Sequence, residues 1–513
     1  MIVDCFTFYN ELEMLYYRLS LLNDYVDHFV LVESNQTFAG NTKRLFYNEN
    51  KHLFEKYNHK IIHVTIDLPF IYPNINYQKN EQWVNETFQR NSIDIGLKRL
   101  SLAGSDIIII SDLDEIPDSS KLKGLVVDQP ISCMQDMYYY NLYTKHREKW
   151  FGSKILTYDM YKETTPQEIR LKKQEYKCLY PFGWHLSYFG DASFIQNKLK
   201  EFSHQELNHI EFTDKDKINE RINASTDLFG RHYVPMDRIE LSDNTYLPQL
   251  YETYLQKFYK DKEEEDKGDI IIYIHVCCLN NWKDVFDRIL FKIKHSGLYD
   301  KTVEIRCVIL GDYDNSINDP KIKIVYKSPD ISLYERVTIN KIYNNSIATD
   351  TNYNILYLHT KGVSYEKQSQ PYKKNIYDWV EYMLFFTVYH YKKCLTLLEK
   401  YNGVGVNLQF LPTLHFSGNM WWSKSSHIRK LGECVDMSYN GPEFWLTKLG
   451  NNFMSLWNSN INHYETPYTE KEYTEDLTQN QNNTCEVIEH YSFQNNSFQN
   501  MLSSYTINDE DDE

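Results

Sequence analysis

"IIIISDLDEIPD", residues 107–118, runs four isoleucines into three acids within four positions and then meets a proline. An apolar run of that length bounded by polar residues reads as a strand buried on both faces, the kind found inside a parallel sheet. Side chains two apart in an extended chain point the same way, so Asp112 and Asp114 converge where the strand ends, and Pro117 stops the run from continuing as a helix. Ligands of open α/β sheets collect outside the carboxyl ends of the strands. Two carboxylates there are hard oxygen donors suited to Mg²⁺ or Mn²⁺, with phosphates and water completing the shell. A cation so held neutralises a diphosphate leaving group.

The residues on either side repeat one grammar. "IVDCFTF" (2–8) reads as a buried strand, and Asn10 with Glu13 reads as a capping box ahead of Leu12, Leu15, Tyr16, Leu19 and Leu22. "HFVLVES" (28–34) and "KIIHVTI" (60–66) return as strands, and a helix over about 81–103 leads into the isoleucine strand. That helix has Val84, Phe88 and Ile95 on one face and Ile93, Leu97 and Leu100 on another, which predicts that it is sandwiched. Past the charged stretch "QKFYKDKEEEDKGD" (256–269), the pattern resumes with strands at 270–278, 303–311 and 354–359 and helices at about 282–295 and 335–347. Alternating strands and helices predict an α/β fold with mostly parallel sheets and right-handed crossovers. At 513 residues the chain exceeds what one core organises. Residues 1–255 are thus expected as one domain, 256–269 as a solvated linker, 270–470 as a second α/β domain, and 471–513 as a poorly ordered polar tail.

Composition limits the partners. A net charge of −16 argues against a nucleic-acid backbone, so anionic ligands must be held locally. Nine cysteines without a CxxC pair suit reduced thiols. The N-terminus carries no basic segment ahead of an apolar run, and no stretch is long and apolar enough to span a bilayer. The expectation is a soluble, cytoplasmic chain without signal peptide or membrane span. An Asp-x-Asp after an apolar strand also opens haloacid-dehalogenase phosphatases, but that chemistry wants Thr or Val where Ile116 stands.

"DCFTFYNELEMLYYRLSLLNDYVDHFVLVESNQTFAGNTK", "FQRNSIDIGL", "DIIIISDLDEIP" and "GWHLSYFG", in that order over residues 1 to about 240, resemble glycosyltransferase family 17, the β-1,4-mannosyl-glycoprotein β-1,4-N-acetylglucosaminyltransferase-like enzymes. The resemblance implies a GT-A-type, Rossmann-like fold, inversion at the transferred sugar, UDP-N-acetylglucosamine as donor, a glycan or glycoprotein as acceptor, and Asp112 and Asp114 as the metal-binding DxD. His185 resembles the Gly-Trp-His histidine and is expected to complete the metal shell, with Trp184 shaping the sugar pocket or packing. Glycosyl transfer also needs contacts to the nucleotide and a base for the acceptor hydroxyl. Arg90 is the candidate fork onto a phosphate, and Glu33 and Lys43 are candidates for the nucleoside. Asp191 is the nominated base, with Glu168 and Glu206 behind it.

The second half replaces the carboxylates by "NILYLHTKG", so His359 and Lys361 stand where a DxD would be, and no metal is expected there. "LHFSGNMWWSKSSHIRKL" (414–431) and "GPEFWL" (441–446) add His415, Asn419, Trp421, Trp422 and Glu443, the tryptophans offering flat faces for sugars. The Leu-His-Thr-Lys-Gly and Asn-x-Trp-Trp stretches distantly resemble metal-independent GT-A-like domains of rhamnan synthesis. Two such domains in tandem imply a bifunctional glycosyltransferase. The alternative is one active transferase joined to a carbohydrate-binding domain.

Overall fold

A computed structural model describes residues 1–259, 267–367 and 369–474. The charged stretch at 260–266 and all but the first four residues of the polar tail (475–513) lie outside the described residues. The chain forms two compact units, Met1–Asp266 with Asp287–Asp300, and Lys267–Phe286 with Lys301–Glu513.

The first unit is built on an eleven-stranded mixed sheet. Its centre is parallel: β1 (Ile2–Phe8), β2 (His28–Ser34), β3 (Ile61–Ile66) and β4 (Ile107–Asp112) lie in the order β3-β2-β1-β4. Beyond β4 the strand Trp150–Thr157 runs antiparallel, and Ile131–Tyr139 runs antiparallel to that. The link between these two is too short for a helical crossover, so they pair as a hairpin rather than extend the parallel set. On one face Val3, Cys5, Val30, Val32, Ile108 and Ile110 pack against Ile93 and Leu97. Each such side chain contributes about 1.5–3 kcal/mol by leaving water.

Two local expectations are corrected. The helix ahead of β4 breaks at Ser92 into Glu81–Asn91 and Ile93–Leu97, and it is not sandwiched: Val84, Phe88 and Ile95 are 45, 44 and 43% exposed. Its buried face is polar instead, because Gln89 donates to the carbonyls of Phe8 and Val32 at 3.2 and 2.8 Å, and Asn85 donates to those of Phe38 and Phe70 at 3.1 and 2.7 Å. Those amides satisfy carbonyls of strands β1 and β2 and of the loops that follow β2 and β3. The helix Leu12–Leu22 starts at Glu11 without a side-chain cap, so the Asn10–Glu13 capping box does not form.

The second unit repeats the plan with a seven-stranded sheet. Ile270–Cys278, Thr302–Gly311, Ile322–Ser328 and Asn354–His359 are parallel, with Ile270–Cys278 beside Asn354–His359. Trp421–Lys424 then runs antiparallel to Asn354–His359, as Trp150–Thr157 does to β4. Asp112 and His359 therefore end topologically equivalent strands. The α/β expectation, with two Rossmann-like domains, holds.

Candidate active site

The acidic turn after β4 is shaped from beneath by a buried arginine. Arg18, on the helix Leu12–Leu22, is fully buried and forks onto Asp4 of β1 at 2.8 and 2.7 Å. Its remaining donors reach Ser111 Oγ at 2.6 Å and the carbonyls of Asp112, Leu113 and Glu115 at 3.1, 3.0 and 2.9 Å. One guanidinium thus holds three carbonyls of the turn that carries both aspartates. The strand Trp184–Ser187 closes the turn from the other side, pairing Trp184 with Ile116 and His185 with Glu115, while Leu186 N–H donates to Asp114 O at 2.9 Å. Gly183, before that strand, has φ +119°, and a Cβ there would lie 2.1 Å from the Ile116 carbonyl. Gly183→Ala is expected to cost about 1–3 kcal/mol through backbone strain alone, and more once the strand shifts; a melting temperature equal to that of the parent would show the approach to be looser than this.

Cations surround the two carboxylates. Asp112 receives Arg90 on Oδ1 and Arg170 on Oδ2, both at 3.1 Å. Asp114 faces His185 Nε2 at 3.6 Å and Lys198 Nζ at 3.2 Å. Glu115, fully buried, accepts from Trp150 Nε1 at 2.5 Å, from Arg170 at 2.6 Å and from the Asp112 N–H at 3.1 Å. Lys198 also lies 3.4 Å from Glu11. Burial pushes the Asp112 carboxyl up, but Arg90 and Arg170 outweigh it and hold the group well below the ordinary range; for Asp114, Lys198 and His185 do the same. Groups depressed in the folded state stabilise it above their unfolded value and lose that contribution as pH falls. The melting temperatures of the parent and Asp114→Asn are therefore expected to differ at neutral pH and to draw together progressively as pH falls below about 4; a difference that does not shrink in acid would mean the asparagine acts through packing.

The three residues expected as metal ligands are brought together in part. Asp114 and His185 share one point, and buried His185 Nδ1 has no hydrogen-bond partner. Asp112 has both oxygens on arginines. Among the described residues no group of three or more His, Cys, Asp and Glu is arranged to hold a metal ion. The donor set fits a hard cation taking one carboxylate and one imidazole from the protein and its other ligands from phosphate and water.

Other expected residues are occupied elsewhere. Glu33 is buried and accepts from the N–H groups of Tyr47 and Asn48 at 3.0 and 3.4 Å and from His63 at 3.0 Å, with Lys43 3.7 Å away. It caps a short helix from inside, which corrects its reading as a nucleoside contact. Trp184 is 1% exposed, stacks on Tyr246 at 4.9 Å and donates to the Tyr246 carbonyl at 3.1 Å, so it packs and has no face left for a sugar. Asp191 is the exposed N-cap of the helix Ala192–Glu201, accepting from Phe194 N–H at 2.8 Å. Glu168 closes a capping box with Thr165, and Glu206 pairs with His204 at 2.6 Å. Arg170, Lys198, Glu11 and Arg18 are the site residues that sequence reading missed. Only Arg18 carried a signal, a charge on the apolar stripe of Leu15, Leu19 and Leu22 that demands a buried partner.

In the second unit Trp421 and Trp422 are 1 and 0% exposed. Their strand is flanked on both sides by Asn354–His359 and Gly403–Gly405, so they are core rather than sugar platforms. Trp422 donates to the Thr387 carbonyl, and Trp421 to Asn419 at 2.9 Å. His415 is likewise buried, bonded to Thr413 O at 2.7 Å. The remaining expected residues gather around Glu335, which no sequence pattern marked. Its carboxylate lies 3.3 Å from His359 Nδ1 and accepts from Tyr357 OH at 2.7 Å and Asn419 Nδ2 at 2.6 Å. His359 Nε2 bonds to the Gly418 carbonyl at 2.8 Å, and Gly418 N–H donates to Glu443 at 2.7 Å. Burial holds the Lys361 ammonium below the ordinary lysine range, against the opposing pull of Glu443 and Glu335.

The end of the central strand β4 in the first unit thus gathers two acids among converging cations. Residues 1–235 match the model of glycosyltransferase family 17. Residues 315–440 match a domain of unknown function, DUF8361. Among curated proteins the chain is similar to the beta-1,4-mannosyl-glycoprotein 4-beta-N-acetylglucosaminyltransferases of Rattus norvegicus (32% identity over 120 residues, 23% of this chain and 21% of that protein) and Homo sapiens (34% over 112 residues, 21 and 20%). The matched segment spans about a fifth of the length of those relatives. No helix among the described residues is long and apolar enough to cross a membrane.

Proposed function

We propose that the N-terminal domain transfers N-acetylglucosamine from UDP-N-acetylglucosamine to a hydroxyl of a glycan acceptor, with inversion, using Mn²⁺ or Mg²⁺. The observation that carries this reading is the acidic turn itself: Asp114 and His185 converge on one point while Arg90 and Arg170 stand beside it. When bound, the divalent ion supplies positive charge beneath the departing diphosphate. Asp114 and His185 would hold it; Arg90 and Arg170, both paired with Asp112, would add positive charge beside the phosphates. The acceptor oxygen attacks the anomeric carbon as the bond to the diphosphate oxygen breaks, and the acceptor proton passes to a carboxylate. Glu11 suits that task better than Asp191, because Lys198 joins it to Asp114 whereas Asp191 is spent on a helix cap. Relatives named for N-acetylglucosamine transfer to a mannosyl glycoprotein support the donor.

For the C-terminal unit a second, metal-independent transferase remains one reading. Charge favours the other, a domain that holds sugar: Lys361 is opposed by Glu335 and Glu443, which leaves no surplus positive charge for a diphosphate. The test is release of the nucleoside diphosphate by the full chain from UDP-N-acetylglucosamine, compared with UDP-glucose, UDP-galactose, GDP-mannose and dTDP-rhamnose, with Mn²⁺ and with EDTA. Release from UDP-N-acetylglucosamine with Mn²⁺, and its loss in EDTA, is expected. Preference for another donor would overturn the sugar assignment.

A further inference from the structure

The C-terminal unit carries a group of tyrosines that its core does not explain. Tyr365, Tyr372 and Tyr464 lie with ring centroids 5.4 to 6.3 Å apart, Tyr372 and Tyr464 nearly parallel at 25°. Tyr439 packs edge-on against Tyr334 at 5.6 Å. Tyr439, Tyr334 and Tyr464 remain 68, 46 and 36% exposed. A patch of large rings left open to solvent in a folded domain marks a contact site.

This patch adjoins the charged cluster. Tyr439 lies in the field of both Glu335 and Glu443. Tyr464 packs edge-on against Trp379 at 5.3 Å, and the Lys361 ammonium sits 4.1 Å above that indole. His463 stacks on the same indole at 5.1 Å. Trp379 and His463 are 3 and 4% exposed, yet Trp379 Nε1 and His463 Nδ1 have no hydrogen-bond partner. Buried donors and acceptors left open beside a charged cluster are the mark of a site that a polar ligand completes.

We propose that this face is a metal-free binding site for a neutral pyranoside, with Tyr439 and Tyr464 against the C–H face of the ring and Glu443, Glu335 and Lys361 on its hydroxyls. Aromatic faces beside a few convergent polar groups are the chemistry of a small-ligand site. The balance of two carboxylates against one ammonium selects a neutral sugar over a sugar phosphate. The proposal deepens the sugar-holding reading of this unit and does not depend on transfer by the N-terminal domain.

Calorimetric titration of the full chain in EDTA, without nucleotide, tests it with methyl β-N-acetylglucosaminide, methyl α-mannoside, methyl α-rhamnoside and chitotriose as probes. At least one is expected to bind, and Tyr439→Ala and Glu443→Gln are each expected to weaken it by roughly tenfold or more. Tyr233→Ala, an equally exposed tyrosine of the N-terminal unit (81%), is expected to leave it unchanged. The proposal is overturned if none of the four binds, or if the Tyr439 and Glu443 variants bind like the parent. UDP release from UDP-N-acetylglucosamine with Mn²⁺, assayed on a separate aliquot of the same preparation, reports on the N-terminal domain, so loss of one result without the other shows which reading has failed.

Discussion

Asp114→Ala is expected to lower Mn²⁺-dependent UDP release from UDP-N-acetylglucosamine by on the order of a hundredfold to a thousandfold, the several kcal/mol that a positioned cation supplies to a departing phosphate. The change removes the carboxylate that faces His185, so the imidazole is left to hold the ion without it. It also frees Lys198 from Asp114 while leaving it on Glu11. Asp112→Ala acts differently. It places Arg90 and Arg170 together without their shared anion, so a loss of stability should accompany its loss of activity, whereas Asp114→Ala should show the loss in the metal dependence. Measuring UDP release against Mn²⁺ concentration, with a melting temperature for each variant, separates the two. Parental turnover by Asp114→Ala at saturating Mn²⁺ would remove the metal from the account.

Arg18→Met is expected to be the most destabilising single change in the N-terminal unit. Breaking a buried ion pair by removing one partner costs about 3–5 kcal/mol, since the other charge stays buried and uncompensated. Here Asp4 would be stranded at 0% exposure, and the carbonyls of Asp112, Leu113 and Glu115 would lose their donor. Arg18→Lys keeps the charge but not the fork, and one ammonium cannot serve Asp4, Ser111 and three carbonyls at once. Adding Asp4→Leu to Arg18→Met should recover part of the loss by removing the stranded charge, and the unrecovered part belongs to the turn. Denaturant unfolding of the four proteins checks this. A single variant as stable as the parent would mean the turn holds its shape without the arginine.

Some of the site was legible before any coordinates. The isoleucines of 107–110 announced a strand buried on both faces, and they fill the centre of a mixed sheet, parallel to β1 on one side and antiparallel to Trp150–Thr157 on the other. "NILYLHTKG" announced the equivalent strand without carboxylates, and it occupies the equivalent place. Other readings went astray for a common reason. Val84 and Phe88 read as buried because they are apolar, yet the helix turns Asn85 and Gln89 inward to serve strand and loop carbonyls. Trp421 and Trp422 read as platforms, yet strands close over them. Arg170, Lys198 and Glu335 sit in segments whose patterns are ordinary, and nothing nearby in the chain says which carboxylate or imidazole each one meets.

The sequence alone determined where the strands lie, that each half repeats one α/β plan, and that two aspartates two residues apart leave the end of a strand, because alternation in an extended chain and the restriction at Pro117 are local properties of the backbone. Tertiary structure alone decided the partners: Arg18 beneath the turn, arginines on Asp112, lysine and histidine on Asp114, and tyrosines rather than tryptophans at the surface of the second unit. Electrostatic pairing and burial depend on distance through space, and residues up to about ninety positions apart come within hydrogen-bonding reach only when the sheet brings them there.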